Sequence, residues 1–247
     1  MSPSPDDRPP ASASSDADRG EGESGLPGLS KRAVQVFVSP GELFDRLREN
    51  PVWLDAMLLV VALSVAYTLL IPEDLLREAM MQQAPEGADP EQMEQMTGWM
   101  SWFRIVAAVV GPFFGAAVVA GVAHLVFTLV LGGRSTYRQL FSATAHMMLV
   151  PTVGTLVTLP LILSTGDVQT TLSLHLLFPA LETGTFAFRL LRGLNVFGLA
   201  GAGIMGVAVS RLYDNRSPGS AVSVMIVIYV VYVALGAVMG GMAPTPA

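Results

Sequence analysis

Five long apolar runs leave this chain few folds to choose from. They lie at about 53–71, 103–131, 140–163, 194–209 and 220–239. A helix of about 20 apolar residues crosses the roughly 30 Å of bilayer hydrocarbon. It also satisfies every backbone polar group internally, which lipid demands. The expected fold is therefore all-α: a polytopic membrane helix bundle with five transmembrane helices. Composition agrees, with 51% hydrophobic and only 14% charged residues, where a soluble domain carries about a quarter charged. The chain has no cysteine, so disulfides and thiolate metal sites are excluded. The net charge of -6 comes without a basic face, so no nucleic-acid partner is expected.

Residues 1–30 are Pro, Ser, Gly, Ala, Asp and Glu with few large apolar groups, a composition that predicts a disordered tail. The tail lacks the apolar stretch of a signal peptide, so the first span is expected to act as the insertion signal. Residues 31–241 read as the membrane domain and 242–247 as a C-terminal tail. Before the first span, Ser39-Pro40 reads as an N-cap and first helical position, and Pro51 as a stop. Between them, Leu43, Phe44 and Leu47 share one face while charges cover the rest. The segment 40–50 thus predicts a short amphipathic helix lying in the membrane interface, apolar face down. An ordinary surface helix packed on a neighbour is the alternative.

Pro72 to Thr97 reads as a polar, acidic, Met- and Gln-rich loop. Asp89-Pro90 within it looks like the cap of a helix that runs unbroken into the second span. Trp53, Trp99 and Trp102 are placed for the interfacial aromatic belt. The third span contains Pro151 and Pro160, with Thr152, Thr155 and Thr158 available to satisfy the carbonyls that proline frees. Residues 174–181 are apolar but too short to span, and read as interfacial or re-entrant. Eight basic residues (Lys31, Arg32, Arg46, Arg48, Arg134, Arg138, Arg211 and Arg216) fall on one side, against Arg77, Arg104, Arg189 and Arg192 on the other. That asymmetry predicts a cytoplasmic N-terminus, and five spans then put the C-terminus outside.

Small residues recur at four-residue spacing: Gly111 and Gly115; Gly198, Ala202 and Gly206; Gly236 and Gly240. Such stripes let helix backbones approach closely. Packing within the chain is the expectation, and homo-oligomerisation the alternative. His124 and His146 sit eight residues on either side of the loop between spans two and three, hence at similar depth. They predict an intramembrane hydrogen-bonded pair, or alternatively a proton or ion path. Two histidines are too few for a metal site, and no metal or other cofactor is expected. HExxH, Gly-x-Ser-x-Gly and nucleotide-loop motifs are absent. Asp55 is the lone carboxylate at the edge of a span, which is too few for intramembrane aspartyl catalysis. The chain is expected not to be an enzyme.

Three stretches together resemble the Yip1-domain family in its bacterial form: FVSPGELFDRLRENPVW, LGGRSTYRQLFSATAHMMLVP, and LLRGLNVFGLAGAGIMGVAVSRLYDNRSPGSAVSVMIVIY. The resemblance spans about Phe37 to Met239. It implies a five-span membrane protein of the bacterial cytoplasmic membrane, without an established activity. Eukaryotic relatives look like organisers of early secretory traffic, but their acidic-Leu-Trp-Gly-Pro stretch is missing, so Rab binding is not carried over. Where relatives often carry an aromatic residue before the span-three proline, this chain has His146, Met147 and Met148. The expected function is that of a scaffold or membrane-organising, trafficking-type factor. Its partners would be the lipid bilayer, further copies of itself or other membrane proteins. A small transporter or channel using the polar, proline-containing region of spans two and three is the alternative.

Overall fold

The computed structural model of the chain describes residues 26–82, 90–168, 170–214 and 216–240. The expected disordered tail falls mostly on residues 1–25, which lie outside the described residues, as does Asp89 of the expected helix cap. The described residues are helical, with one isolated β-bridge between Ser173 and Asn195. In chain order the helices are α1 (Leu29–Val38), α2 (Pro40–Glu49), α3 (Leu54–Leu70), α4 (Glu73–Gln82) and α5 (Pro90–His124), followed by α6 (Tyr137–Met147), α7 (Leu149–Thr165), α8 (Phe186–Gly193), α9 (Val196–Leu212) and α10 (Pro218–Gly240).

Prolines set the early boundaries. A residue before proline is pushed out of the helical region by the pyrrolidine ring. Ser39 (φ -146°, ψ 58°), Asn50 (φ -130°, ψ 85°) and Ile71 (φ -80°, ψ 120°) each precede a proline and each ends a helix. Ser39 holds the N-cap position, but its side chain makes no capping bond. At Pro72 the chain turns by 74° from α3 into α4. The segment read as a polar loop is therefore helical at both ends: α4 occupies its start, and α5 runs from Pro90 into the second span as expected.

Among the described residues, three stretches are long and apolar enough to cross a membrane: Gly98–Val130, Tyr137–Thr165 and Pro218–Gly240. The bent pair Leu54–Leu70 and Glu73–Met81 is a fourth candidate, and α9 is a shorter apolar helix. Exposure follows the same logic. In α5 and α10 only 17% of the most apolar window is buried, against 39% in Tyr137–Thr165. The α6–α7 stretch thus occupies the middle of the bundle, while Phe114, Val231, Tyr232 and Leu235 face outward. Apolar surface on that scale marks contact with lipid or another chain.

Span three is broken once. Pro151 has no N–H for the carbonyl of Met147 and its ring crowds that group. The helix is interrupted at Met148, between α6 and α7. The nearby threonines act differently from expectation. Thr152 donates to Met148 O (2.7 Å) and Thr155 to Thr152 O (2.7 Å), while Thr158 bonds Gly154 O. None of these is the carbonyl four residues before Pro151 or Pro160. A threonine hydroxyl reaches back along its own face of the helix, and the proline-freed carbonyls lie on another.

Span two ends in a π-helical turn, Leu125–Val130, closed by Leu131 N–H on Val126 O (3.0 Å). Gly132 then takes φ 69°, a left-handed conformation that suits glycine. Gly133 N–H bonds Phe127 O at 2.9 Å. A side chain at Gly133 would have its Cβ within 2.8 Å of both Phe127 O and the Tyr213 ring. The Gly-Gly pair is thus needed twice over, once for φ and once for space.

The main core joins Val36 of α1, Phe44 of α2, Phe127, Leu140 of α6, Met205 of α9 and Tyr213. This corrects the reading of α2. Leu43, Phe44 and Leu47 are fully buried inside the protein, where α2 packs against α9. They do not face lipid headgroups. An apolar stripe needs a dry partner, and a neighbouring helix supplies it as well as acyl chains would.

Candidate functional site

The most concentrated polar chemistry inside the bundle lies where α1, α3 and α6 meet. Arg32 of α1 is 5% exposed. Its Nη2 is ion-paired to Asp55 Oδ2, and its Nη1 lies 3.4 Å from Asp55 Oδ1 and 3.0 Å from His146 Nε2. Its Nε donates to Pro27 O at 2.9 Å. Asp55 stands in the first turn of α3, where the helix dipole favours a carboxylate, and accepts from Ala56 N–H at 2.9 Å. The planar guanidinium fork suits such a carboxylate.

His146 is fully buried, and its tautomer follows from its neighbours. Nδ1 lies 2.9 Å from Ser142 O, which can only accept, so Nδ1 carries the proton. Nε2 then accepts from Arg32, which can only donate. The imidazole is neutral in this arrangement, because a second ring proton would meet the guanidinium head-on. Ser142 in turn donates to Val52 O at 2.5 Å, tying α6 to the segment before α3. One helical turn beyond Arg32, Gln35 is also buried, with its Oε1 unpartnered among the described residues.

The expected pairing of His124 with His146 is not what the structure shows. His124 Nδ1 lies 3.3 Å from Thr128 Oγ1, and its ring meets Tyr137 edge-on at 6.2 Å. His146 is engaged with α1 and α3 instead. Equal depth fixes the height of two residues on neighbouring helices but not their azimuth, and these two point to different neighbours.

The same end of the bundle gathers the short loops. Tyr213 Oη pairs with Thr128 Oγ1 at 2.8 Å, and Arg216 Nη2 donates to Leu131 O at 2.5 Å. α2 is held across this end by Arg48–Asp214 (2.7 Å) and Asp45–Arg211 (3.3 Å). Gln139 Nε2 adds a bond to Arg48 O (2.8 Å), while its Oε1 closes a capping box with Thr136. Lys31, Arg134 and Arg138 remain exposed.

The small-residue stripes divide sharply. A Cβ at Gly206 would lie 2.8 Å from the backbone N of Val222, and one at Gly198 would collide with Tyr229, so α9 and α10 touch closely there. Ala202, between them, is buried. A Cβ at Gly115 would meet Met148 Cε at 3.2 Å, and one at Gly240 would meet Arg189 Cδ at 3.5 Å. Gly111 and Gly236 have nothing within 4 Å of that position. Among the described residues no group of three or more His, Asp or Glu is placed to hold a metal.

Sequence reasoning picked out Asp55 and His146 separately but not Arg32 as their partner. Part of the signal was present: a carboxylate in the first turn of an apolar span calls for a cation, and Lys31 and Arg32 stand just before α2; which of the two faces inward is set by the packing of α1.

Comparison with known proteins agrees with this architecture. No solved structure matches the chain. It is 27% identical over 124 residues to the membrane protein YknW of Bacillus subtilis (strain 168). That match covers 49% of this chain and 53% of YknW, so the chain spans about half the length of this relative. The Yip1 domain matches residues 34–238, nearly the whole described helical region. On that coverage, and with its apolar helices, the chain is an integral membrane protein of the Yip1 domain family.

Proposed function

We propose that this protein is a non-enzymatic membrane-organising scaffold with five spans, seated in the bacterial cytoplasmic membrane with its N-terminus inside and its C-terminus outside. The spans would be α3, α5 with its π turn, α6–α7, α9 and α10. α3 and α9 have 17 residues each, or about 25 Å at 1.5 Å per residue. That is the short end of what crosses a bilayer, within reach given local thinning. α4, with Glu73 and Asp74 in its first turn, would lie along the outer surface after the bend at Pro72.

One observation carries the scaffold reading above the transporter reading. Buried Arg32 bonds the half-buried Asp55 and the neutral, buried His146, and His146 and Asp55 also bond nearby backbone, so the cluster ties helices together where a conducting protein would aim such groups at a path. The loop end, covered by α2 through its buried Leu43, Phe44 and Leu47, forms a face carrying exposed Lys31, Arg134 and Arg138. Such cations suit anionic headgroups, each contributing about 1 kcal/mol near the surface.

Proteoliposomes test the function. A scaffold gives no proton or ion flux above empty vesicles, and crosslinking in native membranes returns copies of this chain or other membrane proteins. Saturable flux that is lost in both His124→Leu and His146→Leu would replace the scaffold with the transporter. A reporter fused after Ala247 tests topology: periplasmic activity is expected, and cytoplasmic activity would overturn the five-span arrangement.

A further inference from the structure

α1 is built inside out. At 3.6 residues per turn, Ser30, Lys31, Val34, Phe37 and Val38 fall on one arc of roughly 120°, polar at the N-terminal end and apolar beyond it, and Arg32, Gln35 and Val36 on the opposite one. In water the arc with Arg and Gln would face out. Here it faces in: Arg32, Gln35 and Val36 are buried, while Val34 (59%), Phe37 (44%) and Val38 (72%) are exposed. Polar groups turned toward protein and apolar ones away from it are the pattern of a surface whose surroundings are hydrocarbon.

We propose that the outward face of α1, made of Val34, Phe37 and Val38, is seated in the acyl-chain boundary of the lipid bilayer. Two further observations name lipid as the occupant. First, α1 packs against α3, α6 and α7, the walls of two spans, and so lies alongside the bundle. Second, Arg32 is fixed to His146, which stands nine residues into α6, about 14 Å along the helix axis. That bond holds α1 down beside the span. Its one charge on the inner face is neutralised by Asp55. Lys31, at the start of the outer arc, has a long stem that reaches from an apolar setting to the headgroups. α2 does not share this role, since its apolar stripe is consumed by α9.

The chain has no cysteine, so single labelling sites can be introduced without removing any. Full-length Val34→Cys, Phe37→Cys and Val38→Cys carry a nitroxide, in vesicles of phosphatidylcholine and phosphatidylglycerol. Collision with oxygen, which concentrates in lipid, is compared with collision with a water-soluble nickel chelate. Val231→Cys on the outward face of α10 is the lipid reference, and Glu49→Cys at the end of α2 the aqueous one. Because the three substituted side chains are exposed, the variants should elute and melt as the wild type does. The expected oxygen-to-nickel ratio at 34, 37 and 38 approaches that of Val231 and stands well above that of Glu49. A ratio like Glu49 would mean water, and exclusion of both reagents would mean a protein partner or second copy. Either result overturns the proposal, whatever the flux assay says about function.

Discussion

The ion pair between α1 and α3 is unequal in its surroundings, and that inequality is measurable. The side chain of Arg32 is 6% exposed and that of Asp55 is 40% exposed. Removing Asp55 leaves a buried guanidinium without its counter-ion, and breaking a buried pair this way costs about 3–5 kcal/mol. Removing Arg32 leaves a carboxylate that can regain water. The main loss is then the unsatisfied Nε2 of buried His146, about 1–3 kcal/mol. Asp55→Ala should therefore destabilise more than Arg32→Met, although both delete the same pair. The double variant should be more stable than Asp55→Ala alone, because no buried charge is left over. A coupling energy of about 1–3 kcal/mol is expected from the cycle. Equilibrium unfolding in mixed detergent micelles, followed by tryptophan fluorescence, to which Trp53 two residues from Asp55 contributes beside Trp99 and Trp102, supplies all four stabilities. Asp214→Ala is the control, since it breaks the exposed pair with Arg48 and should cost about 0–1 kcal/mol. The reasoning fails if Asp55→Ala is no worse than that control, or if the two single effects simply add.

Three other outcomes follow from packing. Leu47→Ala should cost about 2–5 kcal/mol in the same unfolding assay, since Leu47 is fully buried; a change under about 0.5 kcal/mol would return α2 to the lipid surface. Gly206→Ala should destabilise by about 1–3 kcal/mol through the clash with Val222, whereas Gly236→Ala, with open space around it, should be neutral or slightly stabilising. Equal melting temperatures for these two glycine variants would refute the close α9–α10 contact. Tyr213→Phe should lose about 1 kcal/mol by deleting the bond to Thr128, with chain packing intact by proteolysis; a larger loss would point to a wider rearrangement of the loop end.

The parts of this fold that depend on local rules could be read in the chain. Hydropathy located the long spans, prolines 40, 51 and 72 marked three helix boundaries, and Gly132-Gly133 marked the end of span two. What escaped depends on facts that are not local. Residues 31–38 were given no element of their own, because the helix of α1 is defined by its contacts with α3, α6 and α7 rather than by an apolar stripe of its own. The Leu43, Phe44 and Leu47 stripe reads the same whether it faces lipid or α9. His124 and His146 were matched in depth, but azimuth depends on how each helix is rotated about its axis. The Arg32 cluster joins residues 23 and 114 positions apart, separations over which periodicity carries no information.

The 114-residue gap between Arg32 and His146 also orders the protein's biogenesis. α1 leaves the ribosome before α3 and α6, yet the wall it leans on does not exist until the third span has been made. At about 5–20 residues per second, that interval is roughly 6–23 s of translation. During it, the guanidinium has only Pro27 O and Asp55 of its eventual partners, and α1 has no full seat. The first helix among the described residues is therefore among the last to settle, and its docking reports that α3 and α6 have met.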